Sequence, residues 1–259
     1  MDRVVLCMRW GTLYGPEYVN VLFGAVRAYL PGPARFVCLT DDSSGIRPEV
    51  ECLPIPDLGL PDDMWRVGAW PKIALFRRDL YGLRGRALFV DLDMIPCGDL
   101  SVFFTHGQGL MAVDEAPWRT GLLSRTSPPE TMSALMAFDL GSLGHLEEKL
   151  RAAPRVVADR YGLEQRYIHH EADVHGYWPA EWVVSFKRHL RRAPGIDRLL
   201  APRQPPAGAR MVAFHGRPRP ADLVHRSPGN RDRWPHHLGA PVAWVAEHWH
   251  RHGTDPSAL

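Results

Sequence analysis

Arg86-Ala87-Leu88-Phe89-Val90-Asp91-Leu92-Asp93, continued by Met94-Ile95-Pro96-Cys97-Gly98-Asp99-Leu100, is the stretch on which the fold of this 259-residue chain turns. An apolar run this short predicts a buried strand rather than a helix. The strand leads straight into two aspartates spaced two residues apart. On an extended chain, such residues point to the same face. Open α/β sheets bind ligands at the carboxyl ends of their strands, so Asp91 and Asp93 are candidates for chemistry. Two carboxylates held together repel each other, and a hard divalent cation, Mg²⁺ or Mn²⁺, relieves that cost. The plainer reading of the same pair is a solvated Asx turn.

Working outward, the flanks repeat a strand and helix alternation. Arg3 to Met8 reads as a buried strand, Glu17 to Leu30 as a helix stopped by Pro31-Gly32-Pro33, Arg35 to Thr40 as a second strand and Val50 to Ile55 as a third. That order predicts an α/β fold with a parallel sheet. A loop, Pro56 to Gly68, precedes a predicted helix from Pro71 to Leu80 that carries Lys72. Beyond the aspartates, Gly109 to Val113 and Met132 to Phe138 read as strands and Leu143 to Ala158 as an amphipathic helix. Ala209 to Phe214 is the last predicted strand, and a final helix spans Val242 to Trp249. No linker or repeat divides the chain, so residues 1–259 are expected to form one domain.

The last predicted strand runs into His215-Gly216-Arg217-Pro218-Arg219-Pro220. His215 is a candidate metal ligand, Gly216 permits close approach of backbone to a ligand, and arginine forks match phosphate oxygens. A metal ligand beside a phosphate clamp suits a metal–diphosphate complex. The dense polar group His169, His170, Glu171, Asp173 and His175 reads as a solvated helix end or an acceptor-facing surface. The tail histidines His236, His237, His248, His250 and His252 read as surface or packing residues.

Composition limits the partners. With 31 Lys and Arg against 29 Asp and Glu, the formal charge is +2, which gives no reason to expect a nucleic acid. Only Lys72, Lys149 and Lys187 are lysines, so a lysine near a site stands out. Cys7, Cys38, Cys52 and Cys97 lack metal-ligand spacing and read as small buried hydrophobes in a reducing compartment. No segment reads as a signal peptide or a transmembrane helix. A soluble, cytoplasmic protein is expected, with peripheral contact to a membrane surface left open.

Taken in order, Lys72-Ile73-Ala74-Leu75-Phe76, the strand ending in Asp91-Leu92-Asp93, the segment closing on Asp99-Leu100 and the His215-Gly216-Arg217-Pro218-Arg219-Pro220 run resemble glycosyltransferase family 8, the glycogenin/LgtC-like nucleotide-sugar transferases. The likeness runs from Val4 to Pro220. It implies a GT-A fold: a mixed, mostly parallel central sheet flanked by helices. It implies a retaining glycosyltransferase that moves a sugar from a nucleoside-diphosphate sugar, a UDP-sugar, to a saccharide, lipid or protein acceptor, with Mn²⁺ or Mg²⁺ as cofactor. By this resemblance Asp91, Asp93 and His215 would hold the metal, and Arg219 with Arg217 the diphosphate. Lys72 and Gln165 would lie at the donor sugar. Trp10, Thr12 and Tyr14 would cover the nucleobase, Tyr14 being the stacking ring. Asp41 and Asp42, at the end of the second predicted strand, read either as ribose or base ligands or as turn caps. Glu164 stands where the family carries Asp, and Thr131-Met132-Ser133-Ala134 where it often carries Asn-Ser or Asn-Ala. Two other readings compete. One is a non-catalytic nucleotide-sugar-binding protein of the same fold. The other is a phosphohydrolase of haloacid-dehalogenase type, whose D-x-D motif Val90 to Ile95 also resembles.

Overall fold

The structure, a computed structural model, describes residues 2–118, 128–225, 236 and 241–253. The chain opens with strand β1 (Arg3–Arg9), helix α1 (Pro16–Tyr29), β2 (Arg35–Thr40) and β3 (Glu51–Pro54). Pro16 starts α1, where its missing N–H leaves no bond unmade, and Pro31 lies just past its end. Strand β4 (Arg86–Val90) is buried throughout, and the short β5 (Met94–Pro96) and α2 (Val102–Thr105) follow. Next come β6 (Leu110–Asp114), β7 (Thr131–Asp139), α3 (Gly144–Ala152), α4 (Pro154–Tyr161), α5 (Glu164–Glu171) and β8 (Val174–Tyr177). Strands β9 (Val183–Ser185) and β10 (Met211–Ala213) and helix α6 (Ala243–Gly253) complete the described elements.

Seven strands form the central sheet in the order β3-β2-β1-β4-β7-β6-β8. β1 is parallel to β2 and to β4, β2 to β3, and β6 to β8, while β7 runs antiparallel to both its neighbours. The sheet is therefore mixed and mostly parallel. Alternate residues of β1 feed opposite faces: Val4, Leu6 and Met8 pack with Trp70, Phe76 and Phe89, while Val5 and Cys7 pack with Leu22, Leu88 and Phe103. Both faces are covered, which is why β1 and β4 read as continuous apolar runs instead of alternating. A second sheet, β5-β10-β9, sits beside the first and packs partly against α6.

Three local expectations are corrected. The predicted helix Pro71 to Leu80 is a 3-10 segment, Trp70–Phe76, whose seven residues are all buried, so no polar face exists to make it a surface helix. The predicted helix Leu143 to Ala158 is two helices, α3 and α4. Pro154 forces Ala153 out of helical geometry, to φ −152° and ψ 66°. The Asp91-Leu92-Asp93 motif is not extended. β4 stops at Val90, and the Met94 N–H donates to the Asp91 carbonyl at 3.1 Å, which closes a turn.

Candidate active site

The parallel strands deliver their loops to one edge of the sheet. β1 ends at Arg9 and continues into Trp10 to Tyr14, β2 into Asp41 and β4 into the aspartate turn. The 3-10 segment brings Lys72 to the same edge, and the loop after β10 brings Arg219. A cavity of about 750 Å³ lies between them, lined among others by Trp10, Tyr14, Lys72, Asp91, Asp93 and Arg219. Asp91 stays in place because its N–H donates to the Ala134 carbonyl of β7 at 2.8 Å, one step beyond the β4–β7 ladder. Although the strand geometry behind the expectation is absent, both carboxylates line one cavity.

Charge is concentrated here. Lys72 Nζ donates to Asp91 Oδ2 at 2.6 Å and lies 3.5 Å from Glu164 Oε1, with only 9% of its side chain exposed. Ser133 Oγ donates to the same Glu164 oxygen at 2.6 Å. Burial works against the ammonium, but Asp91, Glu164 and Asp93 together lift Lys72 above the usual lysine range. Burial raises the Glu164 carboxyl against the opposing pull of Lys72 and Ser133. Asp93 has no lysine in hydrogen-bond contact, and burial with the neighbouring Asp91 pushes its carboxyl up to about 7. Tyr14 OH donates to Asp93 Oδ2 at 3.0 Å, and burial followed by Asp93 and Asp91 raises that phenol.

The first loop is braced from three sides. Trp10 Nε1 donates to the Trp65 carbonyl at 2.8 Å, and the Gly11 N–H to Asp41 Oδ2 at 2.8 Å. The nearly buried Arg9 donates Nε to the Tyr14 carbonyl at 3.1 Å and Nη1 to the Asp42 carbonyl. Arg219 lies 5.1 Å over the Tyr14 ring, within cation–π range. Its Nε is buried within the protein with no hydrogen-bond partner, and its Nη1 donates to the Leu13 carbonyl at 3.4 Å. Ala69, another wall residue, holds φ +53° and ψ 27°, a left-handed conformation that disfavours any side chain.

The other candidates divide between this cavity and other places. Thr12 lines the cavity. Arg217 is exposed and does not line it. Asp42 is exposed, and it is Asp41 that braces the loop. Gln165 lines a separate hollow of about 170 Å³ with Thr131, Arg166, His169 and His170. His215 Nε2 is 2.7 Å from Ser185 Oγ, and the ring stacks on Trp118 at 5.8 Å. Burial, with Lys187, Arg188, Arg191 and His189, lowers the imidazole to about 4, so it is neutral. No three His, Cys, Asp or Glu side chains form a metal-holding group among the described residues, so Asp91, Asp93 and His215 are not assembled as a ready triad. Asp91 and Asp93 by themselves supply the hard oxygen donors and surplus negative charge that a divalent cation would offset. Trp65, Arg66, Leu13 and Met8 also line the cavity, beyond the residues to which the sequence points. Only Trp65 and Arg66, an aromatic and a cation side by side in a loop, carried a local signal. Of the tail histidines, His248 and His252 are packing residues as expected, and His237 lies outside the described residues.

No protein-family model matches the chain, and no curated protein matches it by sequence. Solved structures do match. The galactosyltransferase LgtC, solved with donor and acceptor sugar analogues, superposes with a TM-score of 0.63 at 12% identity, over 98% of each chain. An active-site mutant of LgtC gives 0.60 at 12% identity over 98% of each chain. The glycosyltransferase GlyE of Streptococcus pneumoniae TIGR4 gives 0.61 at 11% identity, covering 99% of this chain and 62% of GlyE. At such identities the likeness is one of fold, and this chain has the GT-A fold, LgtC-like in architecture.

Proposed function

We propose, from this fold and the cavity at its edge, that the protein is a glycosyltransferase that takes a sugar from a nucleoside-diphosphate sugar, a UDP-sugar, and passes it to an acceptor hydroxyl with retention. The observation that carries the reading is one cavity holding two acidic side chains, a buried lysine, an arginine and an aromatic loop. A departing nucleoside diphosphate needs each of these. Tyr14 and Trp10 offer rings for the base. Arg219 offers its charge to the phosphates as negative charge builds on them. Burial raises the Asp91 carboxyl, and Lys72 opposes that shift by charge and hydrogen bond while fixing the group on the cavity wall.

Asp91 and Asp93 would hold a divalent cation, Mn²⁺ or Mg²⁺. When bound, such an ion supplies Lewis-acid stabilisation of the leaving diphosphate. His215 is neutral and so has a lone pair to give, but it would have to leave Ser185 to join them. Gln165 follows Glu164 on α5 and lines its own hollow, where a sugar or acceptor group would be met. We place the protein in the cytoplasm on its four free thiols, which suit a reducing compartment. Among the described residues, no helix is long and apolar enough to cross a membrane.

The test is nucleotide release from a panel of nucleotide sugars with Mn²⁺, comparing the wild type with Asp93→Ala. The variant should unfold at the wild-type temperature and lose at least about a hundredfold in rate, the scale on which electrostatic groups act. Full activity in the variant ends the proposal. Metal-dependent UDP binding without any sugar release favours the non-catalytic binder instead. Glu164 gives that second reading its one support, because its carboxylate is already engaged by Ser133 and Lys72.

A further inference from the structure

A loop leaves the body of the protein after the turn at Phe186–Leu190 and returns at Arg203. Its base is clamped three times. The Arg203 N–H donates to the Leu190 carbonyl at 2.8 Å, Arg203 Nη1 to the His189 carbonyl at 3.4 Å, and Arg192 Nε to the Ala201 carbonyl at 3.0 Å. The chain between runs out to a single 3-10 turn, Ile196–Arg198. At that tip Ile196 is 50% exposed, Leu199 87% and Leu200 51%. Isolated exposed apolar residues are ordinary, but three within five positions of one loop are not. Asp197, the only acid here, turns inward: it is 6% exposed, accepts the Gly195 N–H at 3.0 Å and pairs with His236 at 3.2 Å. The tip therefore shows solvent no negative charge.

Around the base the charge is one-sided. From 187 to 203 the chain carries Lys187, Arg188, Arg191, Arg192, Arg198 and Arg203 against Asp197 alone, a net of +5, whereas the whole protein carries +2. The remainder is thus net acidic, and this segment stands out from it by its excess of positive charge. Arg188 and Arg203 are exposed. An apolar tip above a cationic base matches an anionic bilayer layer for layer. Leucine side chains enter the boundary between headgroups and acyl chains while arginines meet lipid phosphates. A purely polar polyanion would leave the leucines unused, and an apolar protein surface would leave the arginines unpaired.

We propose that loop 191–202 docks this protein on an anionic lipid bilayer, with Leu199 and Leu200 inserting and Arg188, Arg192 and Arg203 contacting phosphate. The inference is independent of the transferase reading, since it concerns adhesion and not turnover.

The test is co-sedimentation of the full chain with vesicles of phosphatidylcholine alone and of phosphatidylcholine with phosphatidylglycerol. The protein should pellet with the anionic vesicles only, and less so as salt is raised. Arg188→Glu should weaken that binding at least about fivefold, the worth of one basic residue at a charged membrane. Leu199→Ser should weaken it about tenfold, as expected for one leucine withdrawn from an apolar phase. Leu199 is almost fully exposed, so its variant should keep the wild-type unfolding temperature. Equal recovery on both vesicle types, no recovery, or recovery indifferent to both substitutions overturns the proposal. So does a dimer in sedimentation velocity that Leu199→Ser dissolves while vesicles are never bound, because the tip would then join copies of the chain.

Discussion

Lys72, Asp91 and Glu164 share one buried corner, and their energetics decide what the site can hold. A lysine between two carboxylates repays its burial only while all three stay charged. Lys72→Met keeps the length of the side chain and strands both acids. It should cost about 3–5 kcal/mol in urea unfolding at neutral pH. A loss below about 1 kcal/mol would mean the corner is wet and the ion pair is incidental. Ala69 poses the opposite question. A left-handed alanine costs about 1 kcal/mol against glycine, while glycine costs up to about 1 kcal/mol through its freer unfolded chain. Ala69→Gly should therefore leave unfolding within about 1 kcal/mol of the wild type, yet lower nucleotide-sugar affinity by removing a methyl from the cavity wall. Unchanged affinity would show that the methyl has no part in the site. Asp91 and Asp93 were legible in the sequence because acids after an apolar strand stand out by themselves. The pairing of Glu164 with Ser133 was not, since it joins residues 31 apart that no local pattern connects.

At the scale of elements, α6 lies across α1, and their approach depends on Gly24. A Cβ there would stand 2.2 Å from the His252 carbonyl oxygen, which cannot move without its helix. Gly24→Ala should destabilise the protein by about 1–3 kcal/mol, read from urea unfolding. The same interface buries His248, 8% exposed, which burial, with His252 and Arg251, lowers to about 3. A histidine that charges only when unfolded gives the unfolded chain the extra proton. Its contribution is full above about pH 6.5 and is lost as the pH falls toward 3, at about 1.4 kcal/mol per pH unit. Between pH 6.5 and 5, His248→Gln should remove about 2 kcal/mol of the acid sensitivity of unfolding. An unchanged slope would show that His248 is already protonated in the native protein. The strands β1, β2, β4, β6 and β7 were readable because apolar runs between turn residues have few alternatives. β5, β8 and β9 were missed, as strands of three or four residues leave no period to detect. The 3-10 segment was misread as a helix because its residues are apolar on every side, a pattern shared by any deeply buried chain.

For the whole molecule, the function rests on parts distant in sequence meeting at one edge of the sheet. Tyr14, Lys72, Asp91 and Arg219 span most of the chain and line one cavity. Their order was visible in the sequence, but their spacing in three dimensions was not. Nothing local told that Gln165 would face a different hollow, or that His215 would bond Ser185. This arrangement makes ligand binding a property of the folded state alone, so it must appear as stability. UDP at about a hundred times its Kd adds about 2.7 kcal/mol to the native state. For a chain of this size that corresponds to a rise in Tm of about 5–10 °C. The rise should need Mn²⁺, because Asp91 and Asp93 would otherwise face the diphosphate with their own charge. A chelator should abolish it, as should Asp93→Ala. Arg219→Ala should reduce it without removing the metal requirement, since the arginine meets phosphate and not the cation. If UDP raised Tm equally with chelator present, the two aspartates would not be holding a cation against the nucleotide. The aromatic loop and Arg219 would then form a nucleotide site of a different kind.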